Sequence, residues 1–358
     1  MVLERRILIK RAVPFLLVGL TIFIVYLYFF VDIPKMVTIL QQTNFFYYSL
    51  AIVAMFLDVF FYSMTWQYLL LPLSVKFPFK KTFLFTWVGI FVDLLVPMES
   101  VSGDISKTYL MSKGSEANTG RVVASLISQR ILFMIITVGS LIIGSSSILI
   151  LSHGLPAYIL NLTIVVAVTT AVSLIFLIIV CFKRQITEKV VDSMIRFFER
   201  ISRGRWHLAS LKSKVQEGIN AFYEAIKALR LRPKSLVQPV ISSVVGWVFS
   251  LLISFFSFVS LGYLIPFGVV VIVYSISCGI QLIPLGIPAE VGVVDVAMAY
   301  LYTLFGVPVV ISGAATLLIR ILTVWVRLLV GFIAFQWVGV KALMGSPATP
   351  TTEISSSP

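Results

Sequence analysis

Long apolar runs separated by short polar segments dominate the chain. The runs lie at about residues 12–31, 48–70, 82–96, 122–151, 156–182, 236–262, 264–283, 294–305 and 309–340. A helix needs about 20 apolar residues to span a bilayer, and seven of these runs provide them, one of which, 264–283, is broken off by Pro284-Leu285-Gly286-Ile287-Pro288. The pattern therefore predicts an all-α, polytopic membrane protein with about six full spans, whose first run is an uncleaved anchor.

The charge distribution indicates how the other runs are placed. Net charge is concentrated between apolar runs: +3 at residues 1–11, +3 at 72–82 and +8 at 183–235. Positive loops favour the cytoplasmic side, and a complete crossing by 82–96 would place 183–235 outside. We therefore predict that 82–115 enters the membrane from the cytoplasm and returns, that 264–305 forms a second re-entrant hairpin from outside, and that both termini are cytoplasmic in a plasma-membrane protein.

Each predicted hairpin contains a proline followed by two acidic residues, and the spacing between these residues is the same in both hairpins. Residues 97–104 and 288–295 both read P-x-E-x-x-x-x-D at an offset of 191, and an arginine follows each copy, Arg130 and Arg320, at an offset of 190. Broken helices in corresponding places of two halves point to a transport site at the midplane. The reason is that free backbone groups are tolerated there only against a polar cavity or ligand. We predict an inverted repeat.

The domain organisation follows from these elements. Residues 1–344 form one transmembrane domain, with repeat halves at about 48–182 and 236–341. Between them, 183–235 has apolar residues at helical spacing, which predicts an amphipathic helix. This linker either contacts lipid headgroups or folds under the membrane domain, and we favour the second reading. The Ser/Thr/Pro-rich tail, 345–358, is predicted to be disordered.

Charged side chains within apolar runs are the candidate site. Such charges are costly, so they are usually paired, face a cavity or have a function. They are Asp58, Asp93, Glu99, Asp104, Arg130, Glu290, Asp295, Arg320 and Arg327. Guanidinium groups bind phosphate in bidentate fashion, which suggests an anionic headgroup as ligand. Arg320 and Arg327 are seven residues apart and share a helix face. The alternative is that Arg130 and Arg320 only neutralise carboxylates in a static core.

Composition excludes several other classes. With 59% hydrophobic and 12% charged residues, a soluble domain is excluded, and the clustered net charge of +13 does not indicate a nucleic-acid partner. The chain has neither a glycine-rich phosphate loop, a Ser/His/Asp arrangement nor metal-ligand spacing, so we predict no cofactor, no metal and no enzyme activity. Acidic pairs still leave open an enzyme or accessory factor acting on polyprenyl-phosphate-linked sugars, and a small-solute secondary transporter is a third alternative.

Two stretches resemble a known family. Pro97 to Leu110, followed by Ser128-Gln129-Arg130, resembles P…G-E-x-x-R-x-Y-L-L and a later E-R in the lysylphosphatidylglycerol synthase transmembrane-region, or flippase-like, family. The run from Gly292 to Trp325 resembles its second signature, approximately G-G-x-G-x-x-E…G-V-P…L-x-x-R-L-L-T-x-W. Asp104 and Asp295 replace the usual Glu, Lys107 replaces Arg, and Ala289-Glu290 replaces a glycine pair.

The resemblance implies a flippase-like module related to that of the multiple peptide resistance factor, without the soluble synthase domain of some relatives. It adds Gly103, Gly292 and Lys107 to the candidate site. Our leading hypothesis is a lipid translocator in which Arg130, Arg320 and Lys107 hold a headgroup phosphate. Asp104, Asp295, Glu99 and Glu290 would then hold the arginines open or bind a cationic headgroup. The expected partners are membrane lipids.

Overall fold

All regular secondary-structure elements in the described part of the chain are helices. The computed structural model describes residues 33–96, 101–114, 119–151, 157–189, 193, 209–281 and 287–344, and no strand occurs in these ranges. The principal helices are α1 (Ile33–Gln41), α2 (Phe45–Leu70), α3 (Phe79–Leu95), α4 (Val101–Gly114), α5 (Thr119–Leu151), α6 (Ala157–Phe182), α7 (Ala209–Leu231), α8 (Val237–Ser260), α9 (Phe267–Gln281), α10 (Val293–Leu304), α11 (Val309–Arg320) and α12 (Arg327–Met344).

Four helical stretches within these ranges are long and apolar enough to span a membrane. They are Phe45–Leu73, Thr119–Ser146, Pro233–Ser260 and Val309–Val338, and Ala167–Phe182 and Phe267–Gln281 are shorter apolar helices. The prediction of an all-α polytopic membrane protein is thereby confirmed. The predicted anchor at 12–31 and the tail at 345–358 lie outside the described residues.

Helices α3 and α4 pack as an antiparallel hairpin. The Gly103 amide donates to Asp93 Oδ1 at 2.6 Å, so the start of α4 lies beside the end of α3. One turn further along, the Lys107 stem passes Gly89, where a methyl group would lie only 2.9 Å from Lys107 Cγ. This pairing brings the charged residues of α4 toward the centre of the helix assembly.

Each half of the chain packs helices against helices of the other half. Helix α3 packs on α12, α9 packs on α5, and α2 and α8 form the most extensive helix pair. Small residues allow this approach: Gly331 faces Phe91, and Gly144 faces Ile272. The Ser250 hydroxyl of α8 also donates to Asp58 Oδ1 of α2, although the two residues are 192 positions apart in the chain. Inversion of the halves across the membrane stays a prediction.

Helix α7 packs its apolar side against the protein. Phe222, Ala225 and Leu229 are buried with residues of α5 in one cluster. Tyr223 donates from its hydroxyl to the Val180 carbonyl at 2.7 Å, which ties α7 to the end of α6. Within the described residues, the apolar side of this linker helix therefore contacts the helix assembly.

Gly120 sets the distance between α7 and α5. We expect Gly120→Ala to displace α7, because the added methyl group would overlap the Gly218 carbonyl and lie 2.8 Å from the Phe222 nitrogen. Increased cleavage of the linker in limited proteolysis would measure this displacement. Gly218→Ala is the control, because its methyl group meets nothing within 4 Å. Equal cleavage of the two variants would contradict the close packing.

Candidate functional site

A cavity of about 290 Å³ lies between the two halves. Its wall takes residues from both halves, including the ends of α3 and α9 and the parts of α5 and α11 that carry the repeat arginines. The charged residues of the wall are Asp58, Asp104, Arg130, Arg320 and Arg327. Three arginines therefore face two carboxylates in one chamber, which we call the main cavity.

The first half contributes a partly open ion-pair cluster. Asp104 accepts from Lys107 Nζ at 2.7 Å, whereas Arg130 Nη2 is 3.6 Å from the other carboxylate oxygen of Asp104. Lys107 is buried, and its ammonium lies 5.3 Å from the ring centre of Tyr62 and 5.5 Å from that of Trp66. Lys107 thus forms the close ion pair with Asp104. The Arg130 guanidinium lines the cavity and has only a long contact, 3.6 Å, with this carboxylate.

Asp93 holds the start of α4 in place. Its Oδ1 accepts from the Gly103 amide and, at 2.9 Å, from the Ser102 hydroxyl. The first amides of a helix lack partners within the helix, and a carboxylate there also interacts favourably with the helix dipole. Asp93 therefore fixes the position of the Asp104 cluster relative to α3.

The second half contributes a closed ion pair. Arg320 Nε donates to Asp295 Oδ1 at 3.0 Å, and both side chains are buried. The other oxygen of Asp295 accepts from the Gly292 amide at 2.7 Å and so caps α10. Asp295 is thus bonded on both oxygens, and this half-site is more enclosed than the one around Asp104, whose side chain is 26% exposed.

Arg320 also supports an unusual turn. Its Nη2 donates to the Ala289 carbonyl at 2.8 Å. Ala289 and Glu290 have φ angles of 51° and 49°, in the left-handed region that costs a residue with a side chain roughly 1–2 kcal/mol. Ala289 and Glu290 stand where the resembled signature has a pair of glycines, and glycine would adopt these φ angles without strain.

A third ion pair closes one side of the main cavity. Arg327 Nη2 lies 2.5 Å from Asp58 Oδ2, and the Ser250 hydroxyl donates to Asp58 Oδ1 at 2.6 Å. A π-helical segment, Ile321–Val326, separates Arg327 from Arg320, yet both line the cavity. π-helical turns are rare and frequent at functional sites.

The structure places four of the ten predicted site residues in the wall of the main cavity. Asp104, Arg130, Arg320 and Arg327 line the main cavity, whereas Lys107, Gly103, Gly292, Asp295 and Glu290 lie outside its wall. Glu99 lies outside the described residues. Among the residues that the structure describes, no group of three or more His, Cys, Asp or Glu side chains is placed to hold a metal ion.

The cavity wall also contains uncharged polar residues that the charge pattern of the sequence does not predict. Gln129, Ser250, Ser254, Tyr274 and Ser277 line the cavity, although none of them belongs to the charged pattern. The available signal is the spacing of Ser250, Ser254 and Ser257 along one side of α8, which places hydroxyl groups on successive turns of an apolar helix. Ser257 itself is buried and bonded within α8.

Comparison with known proteins places the chain among membrane proteins of one family. The model of the lysylphosphatidylglycerol synthase TM region matches residues 16–331. The chain is similar to a UPF0104 membrane protein of Pyrococcus horikoshii, with 24% identity over 326 residues, 88% of this chain and 94% of the relative. A UPF0104 membrane protein of Methanocaldococcus jannaschii is 23% identical over 321 residues, 87% of this chain and 91% of the relative.

Proposed function

The chain belongs to the lysylphosphatidylglycerol synthase transmembrane-region family, and we propose that it is a lipid translocator that binds a phosphate-bearing headgroup in the main cavity. The observation that carries the proposal is the meeting of three arginines and two carboxylates in one chamber between the two repeat-bearing halves. Charges within a membrane domain are expensive to keep unless they are paired or serve a function. Arginine is suited to phosphate because its planar fork of donors matches the phosphate oxygens.

The size of the main cavity supports a headgroup rather than a whole lipid. About 290 Å³ is close to the lower end of ligand pockets, which run from about 300 to 1,000 Å³. A headgroup would occupy the chamber while the acyl chains stay in the bilayer. We further propose that the protein resides in the cell membrane with both termini in the cytoplasm.

The three arginines have different roles in the proposal. Arg320 and Arg327 are each held by a close carboxylate, so they contribute a fixed positive field. Arg130 has the longest contact with its described carboxylate, 3.6 Å, and its side chain is 27% exposed. Arg130 is therefore the guanidinium that can turn to a phosphate at the smallest cost in existing bonds, and Lys107 holds Asp104 while it does so.

We expect Arg130→Ala to reduce headgroup translocation about tenfold to a hundredfold. A hydrogen bond to a charged group contributes about 1.5–3 kcal/mol, and that loss sets the range. Proteoliposomes containing a phosphatidylglycerol analogue labelled on its acyl chain, with exposure of the lipid on the outer leaflet followed over time, provide the measurement.

The matched control is Arg121→Ala. Arg121 lies on the same helix, donates to the Leu73 carbonyl at 3.4 Å and is not part of the cavity wall. Translocation that is unchanged in Arg130→Ala would contradict the proposed role. Uptake of a small solute regardless of lipid composition, or metal-dependent turnover of a polyprenyl-phosphate sugar, would contradict lipid translocation itself.

A further inference from the structure

A smaller cavity opens beside the main cavity, between α2, α5 and α8. It measures about 40 Å³, and we call it the side pocket. Its wall shares residues with the wall of the main cavity: Asp58, Tyr62, Gln129, Phe133 and Ser250. From there it extends along α8 toward Ser242, Ser243 and Trp247. The side pocket therefore adjoins the main cavity at these shared residues.

Buried polar atoms of these walls have no hydrogen-bond partner among the described residues. They are Gln129 Oε1, Trp247 Nε1 and Arg327 Nε. Gln129 is 3% exposed, and its amide is fixed because Nε2 donates to the Tyr62 carbonyl at 2.8 Å. Buried polar atoms are nearly always paired, so such atoms around a cavity point to a ligand.

The chemistry of these atoms matches a hydroxyl group. Gln129 Oε1 accepts a hydrogen bond, and Trp247 Nε1 donates one. A hydroxyl both donates and accepts, whereas an ammonium only donates and cannot satisfy the indole N–H. About 10–15 Å³ is enough for one water, so the side pocket has room for about one hydroxymethyl group.

The carboxylates of the two walls are already bonded. Asp58 accepts from Arg327 and Ser250, and Asp104 accepts from Lys107 at 2.7 Å. An ammonium group would have to compete for these carboxylates with Arg327, Lys107 and Arg130, and it would do so in a cavity that already holds three arginines of the same sign. Like charges brought together in a low-dielectric site repel strongly.

We propose, building on the proposed function, that the preferred headgroup is a phosphodiester carrying an uncharged polyol. The arginines of the main cavity hold the phosphate, and Gln129 and Trp247 bind a terminal hydroxyl of the polyol in the side pocket. Headgroups that end in an amine, including a lysylated glycerol, bind more weakly. The substrate class is thus a glycerol-, inositol- or sugar-phosphate lipid.

Binding of short-chain lipids to the purified full chain tests the preference. Isothermal titration calorimetry in detergent would compare dihexanoyl phosphatidylglycerol with phosphatidylethanolamine and lysylphosphatidylglycerol of matched chain length. We expect phosphatidylglycerol to bind at least about tenfold more tightly than either amine-bearing lipid. Equal or tighter binding of lysylphosphatidylglycerol would overturn the inference.

Trp247→Phe tests the side pocket itself, since it removes the indole N–H and keeps an aromatic ring. We expect the affinity for phosphatidylglycerol to fall about threefold to tenfold, the range for one hydrogen bond, and the affinity for phosphatidic acid, which lacks the polyol, to stay the same. Trp337→Phe, the same change on an exposed position of α12, should alter neither affinity. An unchanged phosphatidylglycerol affinity in Trp247→Phe, or an equal loss for both lipids, would overturn the assignment.

Translocation measured on the same lipids separates this inference from the proposed function. If the binding preference holds but proteoliposomes move none of the lipids, the translocator proposal fails and the polyol site stands. If lysylphosphatidylglycerol moves faster than phosphatidylglycerol, the translocator proposal stands and the polyol preference fails.

Discussion

Arg320→Ala is expected to lower the free energy of unfolding by about 3–5 kcal/mol. Removing one partner of a buried ion pair leaves an uncompensated charge, and that loss has this size. Here the carboxylate left behind belongs to Asp295, which is buried and also caps α10. The Ala289 carbonyl would lose its donor at a turn that is already strained.

Chemical unfolding of the purified protein in detergent would measure the Arg320→Ala effect, with Arg130→Ala as the matched control. Arg130→Ala should lose about 1 kcal/mol or less, because a partly exposed ion pair contributes little and Asp104 keeps Lys107. Adding Asp295→Asn to Arg320→Ala should recover part of the loss, since it removes the unpaired charge. Arg320→Ala that is as stable as Arg130→Ala would contradict the closed pair.

Substitution of Arg320 therefore tests stability, whereas substitution of Arg130 tests binding of the ligand. Loss of translocation in Arg320→Ala follows from loss of folding as readily as from loss of a ligand contact. Arg130, 27% exposed and weakly held, reports on the ligand with the fold intact. Arg130 and Arg320 occupy matching positions in the sequence repeat. Their surroundings differ, so we expect different roles for them.

The helix assembly is largely predictable from sequence because length and hydropathy determine which segments can span a bilayer. Helices α2, α5, α6, α8 and the pair α11 and α12 cover five of the six predicted full spans, and the sixth, 12–31, lies outside the described residues. The repeat spacing is also informative, since it indicates Asp104, Asp295 and their arginines by position alone. These features depend on composition and order along the chain, which are directly readable.

The pairing of the charges is not predictable in the same way. Asp58 and Asp93 stand out in the sequence as intramembrane charges outside the repeat, but their partners lie 269 and 10 positions away, at Arg327 and the Gly103 amide. Such partners depend on which helices meet and at which register, and hydrophobic periodicity and spacing along one chain do not reveal either. The half-sites likewise differ in openness because Lys107 has Met298 at the matching offset in the second half.

Gly103→Ala is expected to disrupt the hairpin of α3 and α4 and to abolish translocation. The added methyl group would overlap the Asp93 carboxylate and lie 2.5 Å from the Gly89 carbonyl oxygen. The backbone at Gly89 cannot move aside as a flexible side chain could, so α4 must shift away from α3. Overpacking costs about 1–3 kcal/mol, and the displaced bond to Asp93 adds about 1.5–3 kcal/mol.

Gly139→Ala is the matched control, because this helical glycine has nothing within 4 Å of an added methyl group. Alanine is the better helix former by about 0.8–1.0 kcal/mol, so this variant should be at least as stable as the parent protein. Unfolding in detergent and translocation in proteoliposomes should therefore separate the two variants. If Gly103→Ala behaves like Gly139→Ala, then Asp93 does not fix the start of α4, and the position of Asp104 beside Arg130 needs another cause.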